Sequence, residues 1–168
     1  MVTDHSDQAL IEAAERLAGV LREQRWTLAT AESCTGGWIA KTCTDLPGSS
    51  DWFDCGYISY SYRAKERQLG VIRDDLEAHG AVSEPIAAQM ALGARQRSGA
   101  ELSIAATGIA GPGGGLKEKP VGTVCFGWSV RGGVLVSDTQ IFQGDREMIR
   151  RKTVVHALLG ALERVSEP

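Results

Sequence analysis

Residues 26–43 read WTLATAESCTGGWIAKTC. The run WTLAT at 26–30 predicts a short β-strand, and residues 35–43 predict a helix that begins with small residues. The segment AESCTGG at 31–37 therefore lies where a strand ends and a helix begins. Ligands of open α/β sheets bind outside the carboxyl ends of strands, and the free N–H groups of a helix start can hold an anion. This stretch favours an α/β fold with a ligand site around Ser33.

The elements predicted on either side alternate in the same way. Helices are predicted at 7–23, 62–69, 73–78 and 83–96, and strands at 57–60, 102–106, 122–130 and 134–142. The last two strands flank a short glycine link at 131–133 and predict a β-hairpin, and Gly144 and Asp145 precede a final helix. This order predicts a three-layer α/β/α sandwich with a mixed central sheet and a late β-hairpin. We expect one domain over 1–168, with its core at about 7–165.

Composition excludes several classes of protein. The 168 residues include 43% hydrophobic and 23% charged side chains, as in ordinary soluble domains. A net charge of −3 leaves no broad basic surface for nucleic acid, and no run of about 20 apolar residues exists to span a membrane. The first ten residues, MVTDHSDQAL, lack the charged and apolar segments of a signal peptide, so we expect a cytoplasmic protein. Four cysteines without a C-x-x-C pair and three scattered histidines predict reduced thiols and no metal site.

The residues alone leave the chemistry of the 31–37 segment open. Ser33 is either a nucleophile or only a helix cap, since the segment matches neither the G-x-S-x-G elbow nor a P-loop. A serine nucleophile needs a base. No histidine lies in the four turn-like segments next to predicted strands, at 31–37, 60–65, 108–120 and 144–146. Lys65 is the candidate base if burial lowers its pKa; otherwise it is a solvated surface lysine. A thiol nucleophile at Cys34, and a local pair of Ser61 with Lys65 at i,i+4, are alternatives.

Seven motifs in order nevertheless resemble one known family, the CinA C-terminal domain family. They are AESCTGG at 31–37, PGSS at 47–50, YSYRAK at 60–65, GAVSEP at 80–85, TGIAGP at 107–112, KPVGTV at 119–124 and GDR at 144–146. The resemblance covers about residues 7–165. Characterised members of this family are nicotinamide-nucleotide amidases, and some members carry an extra N-terminal domain. The chain resembles the stand-alone form.

The resemblance implies hydrolysis of the carboxamide of nicotinamide mononucleotide, giving nicotinic acid mononucleotide and ammonia. Family members are described as serine amidases with a Ser–Lys pair and an accessory tyrosine, and without a metal or cofactor. Carried over by motif, these roles fall on Ser33, Lys65 and Tyr60. The chain departs from many relatives at Tyr62 and Arg63, which motivates an alternative, a nucleotide-binding module without turnover.

The resemblance and the turn composition together predict where the substrate binds. The oxyanion would be held by N–H groups at the start of the 35–43 helix or in the 108–111 turn. The substrate's phosphate would be held by the glycine-rich loop at 108–120 with its Lys117 and Lys119, by the turn at 48–50, or by Arg146. The predicted partner is a small-molecule nucleotide, with no nucleic acid and no membrane, and we expect a homo-oligomer, a dimer. The predicted substrate-binding residues are Thr35, Gly36, Gly37, Gly48, Ser49, Ser50, Thr107, Gly108, Gly111 and Arg146.

Overall fold

The computed structural model describes residues 5–166 and contains a five-stranded sheet with the strand order β2-β1-β3-β4-β5. Strands β1 (Leu28–Glu32), β2 (Phe53–Ile58) and β3 (Leu102–Gly108) are parallel, and β4 (Thr123–Val130) and β5 (Val134–Ile141) form an antiparallel hairpin beside β3. The helices are α1 (Asp7–Gln24), α2 (Trp38–Thr44), α3 (Tyr62–Leu69), α4 (Arg73–His79), α5 (Glu84–Ser98) and α6 (Arg146–Ser166), and a short 3₁₀ turn at Ser49–Asp51 precedes β2. The predicted fold class, a mixed sheet with a late hairpin, is confirmed.

Residues 1–4 and 167–168 of the predicted domain lie outside the described range. The prediction that the first ten residues are not a signal peptide concerns, in part, these undescribed residues. Within residues 5–166, no helix is both long enough and apolar enough to cross a membrane.

Helices cover both faces of the sheet. Helices α1, α2 and α6 pack together on one face, and α3, α4 and α5 pack on the other. Two buried apolar clusters fill the spaces between helices and sheet, one around Leu17, Phe126 and Trp128 and one around Ile86 and Met90. The sheet is therefore the middle layer of three.

Several boundaries differ from the prediction around the 31–37 segment. Helix α2 begins at Trp38 rather than at residue 35, because Gly36 and Gly37 have φ values of 60° and 100°, in the left-handed region that breaks a right-handed helix. Strand β1 ends at Glu32, two residues later than predicted, and is fully buried. Strand β2 runs over 53–58 instead of 57–60, so that Ser59 and Tyr60 lie beyond its end.

The sheet brings distant segments to one edge. Strands β1, β2 and β3 are parallel and in register, so their carboxyl ends meet there. Strand β4 begins and β5 ends at the same edge, because Thr123 pairs with Ile141 and Gly108 pairs with Val124. Ser33, the segment after β2, the 108–111 turn and the start of α6 are consequently neighbours in space.

Candidate active site

The hydroxyl of Ser33 and the amine of Lys65 meet at this edge. Ser33 follows β1 directly, and its N–H donates to Ala106 O of β3 at 3.0 Å. Lys65 lies on the first turn of α3, and its Nζ donates to Ser33 Oγ at 3.0 Å across 32 positions of sequence. Lys65 is 1% exposed and Ser33 is 8% exposed. The fold therefore brings these two side chains into contact, as predicted.

The surroundings of Lys65 favour an uncharged amine. Its Nζ also donates to Ser59 O at 2.7 Å and to Tyr60 O at 3.4 Å, and within residues 5–166 no carboxylate pairs with it. Removal from water disfavours the ammonium form, so burial lowers the pKa of Lys65 to about 8. A neutral amine has a lone pair that can accept the proton of the Ser33 hydroxyl.

Glu32 supports the turn that carries Ser33. Its carboxylate is fully buried and accepts four hydrogen bonds. Two come from the hydroxyls of Thr30 and Thr35, at 3.1 and 2.7 Å, and two come from the N–H groups of Ile39 and Ala40, at 2.8 and 3.0 Å. Glu32 is not among the predicted catalytic or substrate-binding residues. In the sequence, a carboxylate just before a helix start is either a polar orienter of the site or a favourable charge near the helix dipole, and in the structure Glu32 holds the turn.

Arg150 contacts the same turn from α6. Its Nε donates to Cys34 O and its Nη2 donates to Thr35 O, each at 3.0 Å. Its guanidinium lies 5.3 Å from the centroid of the Trp38 ring. Arg150 was not predicted from the sequence, because it is one of several arginines on a long helix and its partners are main-chain carbonyls.

Tyr60 and Arg146 lie at the mouth of the site. The side chain of Tyr60 is 61% exposed, and its hydroxyl accepts a hydrogen bond from Arg146 Nη2 at 3.4 Å. Arg146 Nη1 donates to Gly111 O at 2.7 Å, which ties the glycine-rich loop to the start of α6. The main-chain carbonyl of Tyr60, and not its hydroxyl, is the group that contacts Lys65.

The remaining predicted residues of this edge have mainly structural contacts. The hydroxyl of Thr35 donates to Glu32, and that of Thr107 donates to Ala81 O at 3.0 Å. A β-carbon at Gly108 would lie 3.0 Å from Thr123 O, so the strand pairing needs glycine there. Thr35, Gly36 and Gly37 line a cavity of about 590 Å³ together with Trp38 and Arg150; neither Ser33, Tyr60 nor Lys65 lines it.

The turn at Gly48, Ser49 and Ser50 lies elsewhere. It precedes β2, whose first residue pairs with Leu28, so it lies at the edge of the sheet opposite Ser33. Gly48 O accepts a hydrogen bond from Arg22 of α1 at 3.3 Å. The structure therefore does not bring these three residues to the Ser33 site of the same chain, and their prediction as substrate ligands is wrong for that site.

Some of the N–H groups around the predicted helix start are occupied. Those of Ile39 and Ala40, in the first turn of α2, donate to the Glu32 carboxylate and are not free for a substrate. The N–H groups of Cys34 and Thr35, directly after Ser33, donate to no carbonyl within residues 5–166. Because Thr35 begins the predicted 35–43 helix, the candidate oxyanion donors narrow to the turn that precedes α2.

The structure disfavours both alternative nucleophiles. Cys34 is buried, and burial raises the pKa of its thiol to about 12, so the reactive thiolate is suppressed. The Ser61 hydroxyl caps α3 by accepting from Ala64 N at 3.0 Å, while the amine of Lys65 contacts Ser33 instead. The four cysteines are unpaired. Among residues 5–166, no three His, Cys, Asp or Glu side chains are grouped as metal ligands would be.

Known proteins share this sequence and fold. The profile of the CinA C-terminal domain matches residues 10–165. The protein named nicotinamide-nucleotide amidohydrolase PncC in Escherichia coli strain K12 is 44% identical over 153 residues, which cover 91% of this chain and 93% of that protein. The PncC protein of Enterobacter agglomerans is 46% identical over 157 residues, or 94% and 96% of the two chains.

Longer relatives and solved structures agree with this assignment. A putative competence-damage inducible protein of Symbiobacterium thermophilum is 51% identical over 160 residues, which cover 90% of this chain and 37% of that protein. The crystal structure of the competence/damage inducible protein CihA from Agrobacterium tumefaciens has a TM-score of 0.91 and 41% identity, covering 95% and 96% of the two chains. Since the profile and these relatives match nearly the whole sequence, the chain belongs to the CinA C-terminal domain family.

Proposed function

We propose that this protein hydrolyses the carboxamide of nicotinamide mononucleotide to nicotinic acid mononucleotide and ammonia. The observation that carries the proposal is the buried contact of 3.0 Å between Lys65 Nζ and Ser33 Oγ. A hydroxyl beside an amine of lowered pKa is an activated nucleophile for acyl transfer. The names of relatives such as nicotinamide-nucleotide amidohydrolase PncC of Escherichia coli supply the substrate class.

In the proposed reaction, neutral Lys65 accepts the hydroxyl proton as Ser33 Oγ attacks the amide carbon. The N–H groups of Cys34 and Thr35 hold the oxyanion of the tetrahedral intermediate, and one such donor contributes roughly 10²–10³ in rate. The intermediate collapses with cleavage of the C–N bond as the Lys65 ammonium donates its proton to the departing amide nitrogen, which leaves as ammonia. Water, deprotonated by Lys65, then cleaves the acyl-enzyme ester and releases the acid and Ser33.

Tyr60 and Arg146 are assigned to binding at the mouth of the site. Arg146 is an exposed cation between the Tyr60 hydroxyl and Gly111 O, and its planar guanidinium suits a phosphate. Lys119 is a weaker candidate, because its Nζ already donates to His79 O at 2.8 Å. The Tyr60 hydroxyl, fixed by Arg146, would orient the substrate as the accessory tyrosine of the family.

The test is ammonia release from nicotinamide mononucleotide by the purified protein, with formation of the acid product measured in parallel. Ser33→Ala is expected to lower kcat by about 10³-fold or more while retaining the wild-type circular dichroism spectrum and Tm. Ser50→Ala is the matched control, since this exposed serine lies at the opposite edge of the sheet, and its turnover is expected to equal that of the wild type.

A folded Ser33→Ala variant that releases ammonia at nearly the wild-type rate would rule out the mechanism. Saturable binding of the nucleotide by the wild type without any ammonia release would support the alternative, a binding module.

Tyr62, one of the two departures from the family pattern, packs against the apolar cluster of α5, and its ring centroid lies 5.7 Å from the guanidinium of Arg73. This packing indicates a structural role for Tyr62.

A further inference from the structure

We infer that Glu32 and Arg150 are positioning residues that together hold the 33–37 turn in its reactive geometry, an inference that rests on the proposed role of Ser33. Neither residue contacts the hydroxyl of Ser33 or the amine of Lys65 in the structure. Both contact the turn that carries the hydroxyl, one from each side. Thr35 joins the two contacts, because its hydroxyl donates to Glu32 and its carbonyl accepts from Arg150.

The turn has few contacts of its own. Its internal hydrogen bonds are those from Gly36 N to Ser33 O and from Trp38 N to Thr35 O, each 3.1 Å long. Gly36 and Gly37 adopt positive φ angles, and glycine has access to many other conformations. Without outside contacts, the turn would therefore sample arrangements in which the Ser33 hydroxyl and the Cys34 N–H are displaced.

Glu32 binds the turn in a way that requires a carboxylate. Each of its two oxygens accepts one hydroxyl and one N–H, and an N–H group of Ile39 or Ala40 cannot accept a hydrogen bond in return. An amide at position 32 would point its own N–H₂ group at one of these donors. The carboxylate thus fixes the start of α2 relative to β1, and so fixes the two ends of the turn between them.

Arg150 binds the opposite side of the turn in a way that requires a guanidinium. Only a fork of two N–H donors reaches the consecutive carbonyls of Cys34 and Thr35 at once, and a lysine amine would act as a single point. The Cys34 carbonyl belongs to the same peptide group as the Thr35 N–H, one of the proposed oxyanion donors, and the Thr35 carbonyl belongs to the next peptide. Because a displacement of about 1 Å can cost 10²-fold in rate, loss of this contact should lower kcat without removing substrate contacts.

The cavity of about 590 Å³ beside Arg150 makes a sharp test possible. Truncation in the variant Arg150→Ala extends this cavity to the two carbonyls, so a small guanidinium ion can enter and replace the lost donors. We expect Arg150→Ala to lower kcat by roughly 10- to 100-fold with KM within about threefold of wild type. Millimolar guanidinium chloride, far below denaturing concentrations, should restore kcat at least fivefold, whereas equal concentrations of sodium chloride should not.

Arg151→Ala is the matched control. Arg151 also lies over the Trp38 ring, at 5.2 Å, but its guanidinium pairs with Asp7 and Glu147 and not with the turn. Its truncation should leave kcat within about twofold and show no response to guanidinium. Glu32→Gln should lower kcat with unchanged KM and an unchanged midpoint of the pH profile, because it displaces Ser33 without altering the surroundings of Lys65.

Amide hydrogen exchange of the 33–37 turn separates this inference from the proposed function. Exchange should accelerate in Arg150→Ala, return toward wild type with guanidinium, and stay unchanged in Arg151→Ala. If the wild type releases no ammonia, the proposed function fails, and these exchange rates still decide the positioning role. Unchanged exchange in Arg150→Ala, or a loss of kcat that Arg151→Ala reproduces, would overturn the inference even if Glu32→Gln does not fold.

Discussion

Replacing Lys65 with methionine should change how the stability of the protein depends on pH, while abolishing turnover. The Lys65 amine is 1% exposed, and burial lowers its pKa from 10.5 in the unfolded chain to about 8 in the fold. Below pH 8 both states bind this proton, and the folded state bears the cost of the buried charge. Between pH 8 and 10.5 only the unfolded chain binds it, so the free energy of unfolding of the wild type rises with pH.

The size of the effect follows from the two pKa values. A difference of about 2.5 units corresponds to roughly 3 kcal/mol, of which 2–3 kcal/mol is expressed between pH 7 and pH 10. Lys65→Met removes the titrating group and also leaves Ser59 O without its donor, which costs about 1–3 kcal/mol. That second cost does not titrate. The difference between the two curves therefore isolates the desolvation of the amine.

The assay is urea denaturation of the wild type, Lys65→Met and Lys41→Met at half-unit steps from pH 7 to pH 10. Relative to Lys65→Met, the wild type should gain roughly 2–3 kcal/mol over this range. Lys41→Met replaces an exposed lysine that pairs with Asp45, and its curve should stay parallel to that of the wild type. Parallel curves for all three proteins would refute the argument that burial lowers the pKa of Lys65.

Three further predictions concern rate, binding and packing. The kcat/KM of the wild type should rise about tenfold from pH 7 to pH 9 with a midpoint near 8, since Lys65 must be neutral to act; a flat profile in a stopped ammonia assay would contradict this. Arg146→Met should raise KM for nicotinamide mononucleotide about tenfold or more and leave the riboside unaffected, because only the nucleotide carries a phosphate; equal effects on both substrates would exclude the assignment. Gly93→Ala should lower the free energy of unfolding, measured by urea denaturation, by about 1–3 kcal/mol, because the new β-carbon would lie 2.0 Å from Leu69 O. An unchanged free energy of unfolding would show that α3 and α5 can separate without cost.

The alternation of helices and strands, and hence the fold class, could be predicted because each element has its own hydrophobic period. The ends of the elements were less predictable. The helix after Ser33 begins at Trp38 because Gly36 and Gly37 are left-handed, whereas a sequence of small residues reads equally well as a first helical turn. Strand β2 ends at Ile58, and Ser59 N still donates from the segment after it to Glu32 O, a contact that only the sheet creates.

The contact between Ser33 and Lys65 was predictable, but the groups that hold the 33–37 turn were only partly so. Ser33 and Lys65 stand in recognisable motifs after two strand ends, and parallel strands bring such ends together. In the sequence, the turn residues at 48–50 look as suitable for a ligand site as the turn that carries Ser33. Only the direction of β2 shows that they lie at the opposite edge of the sheet. Arg150 contacts main-chain carbonyls, and two of the four donors to Glu32 are main-chain N–H groups; such groups are the same in every residue and leave no signal in the sequence.

The alternation of side chains along β1 explains how a buried acid and a buried amine coexist beside the Ser33 hydroxyl. Successive residues of a strand face opposite sides of the sheet, so Glu32 reaches α2 on one face while Ser33 reaches Lys65 on the other. Glu32 is accordingly balanced by hydroxyls and main-chain donors, and it does not contribute to the lowered pKa of Lys65. Direct pairing would stabilise the ammonium form and raise that pKa, which would remove the base. The same separation makes both groups costly to bury, so the stability of this edge has to come from the turn, the sheet and α6 rather than from an ion pair.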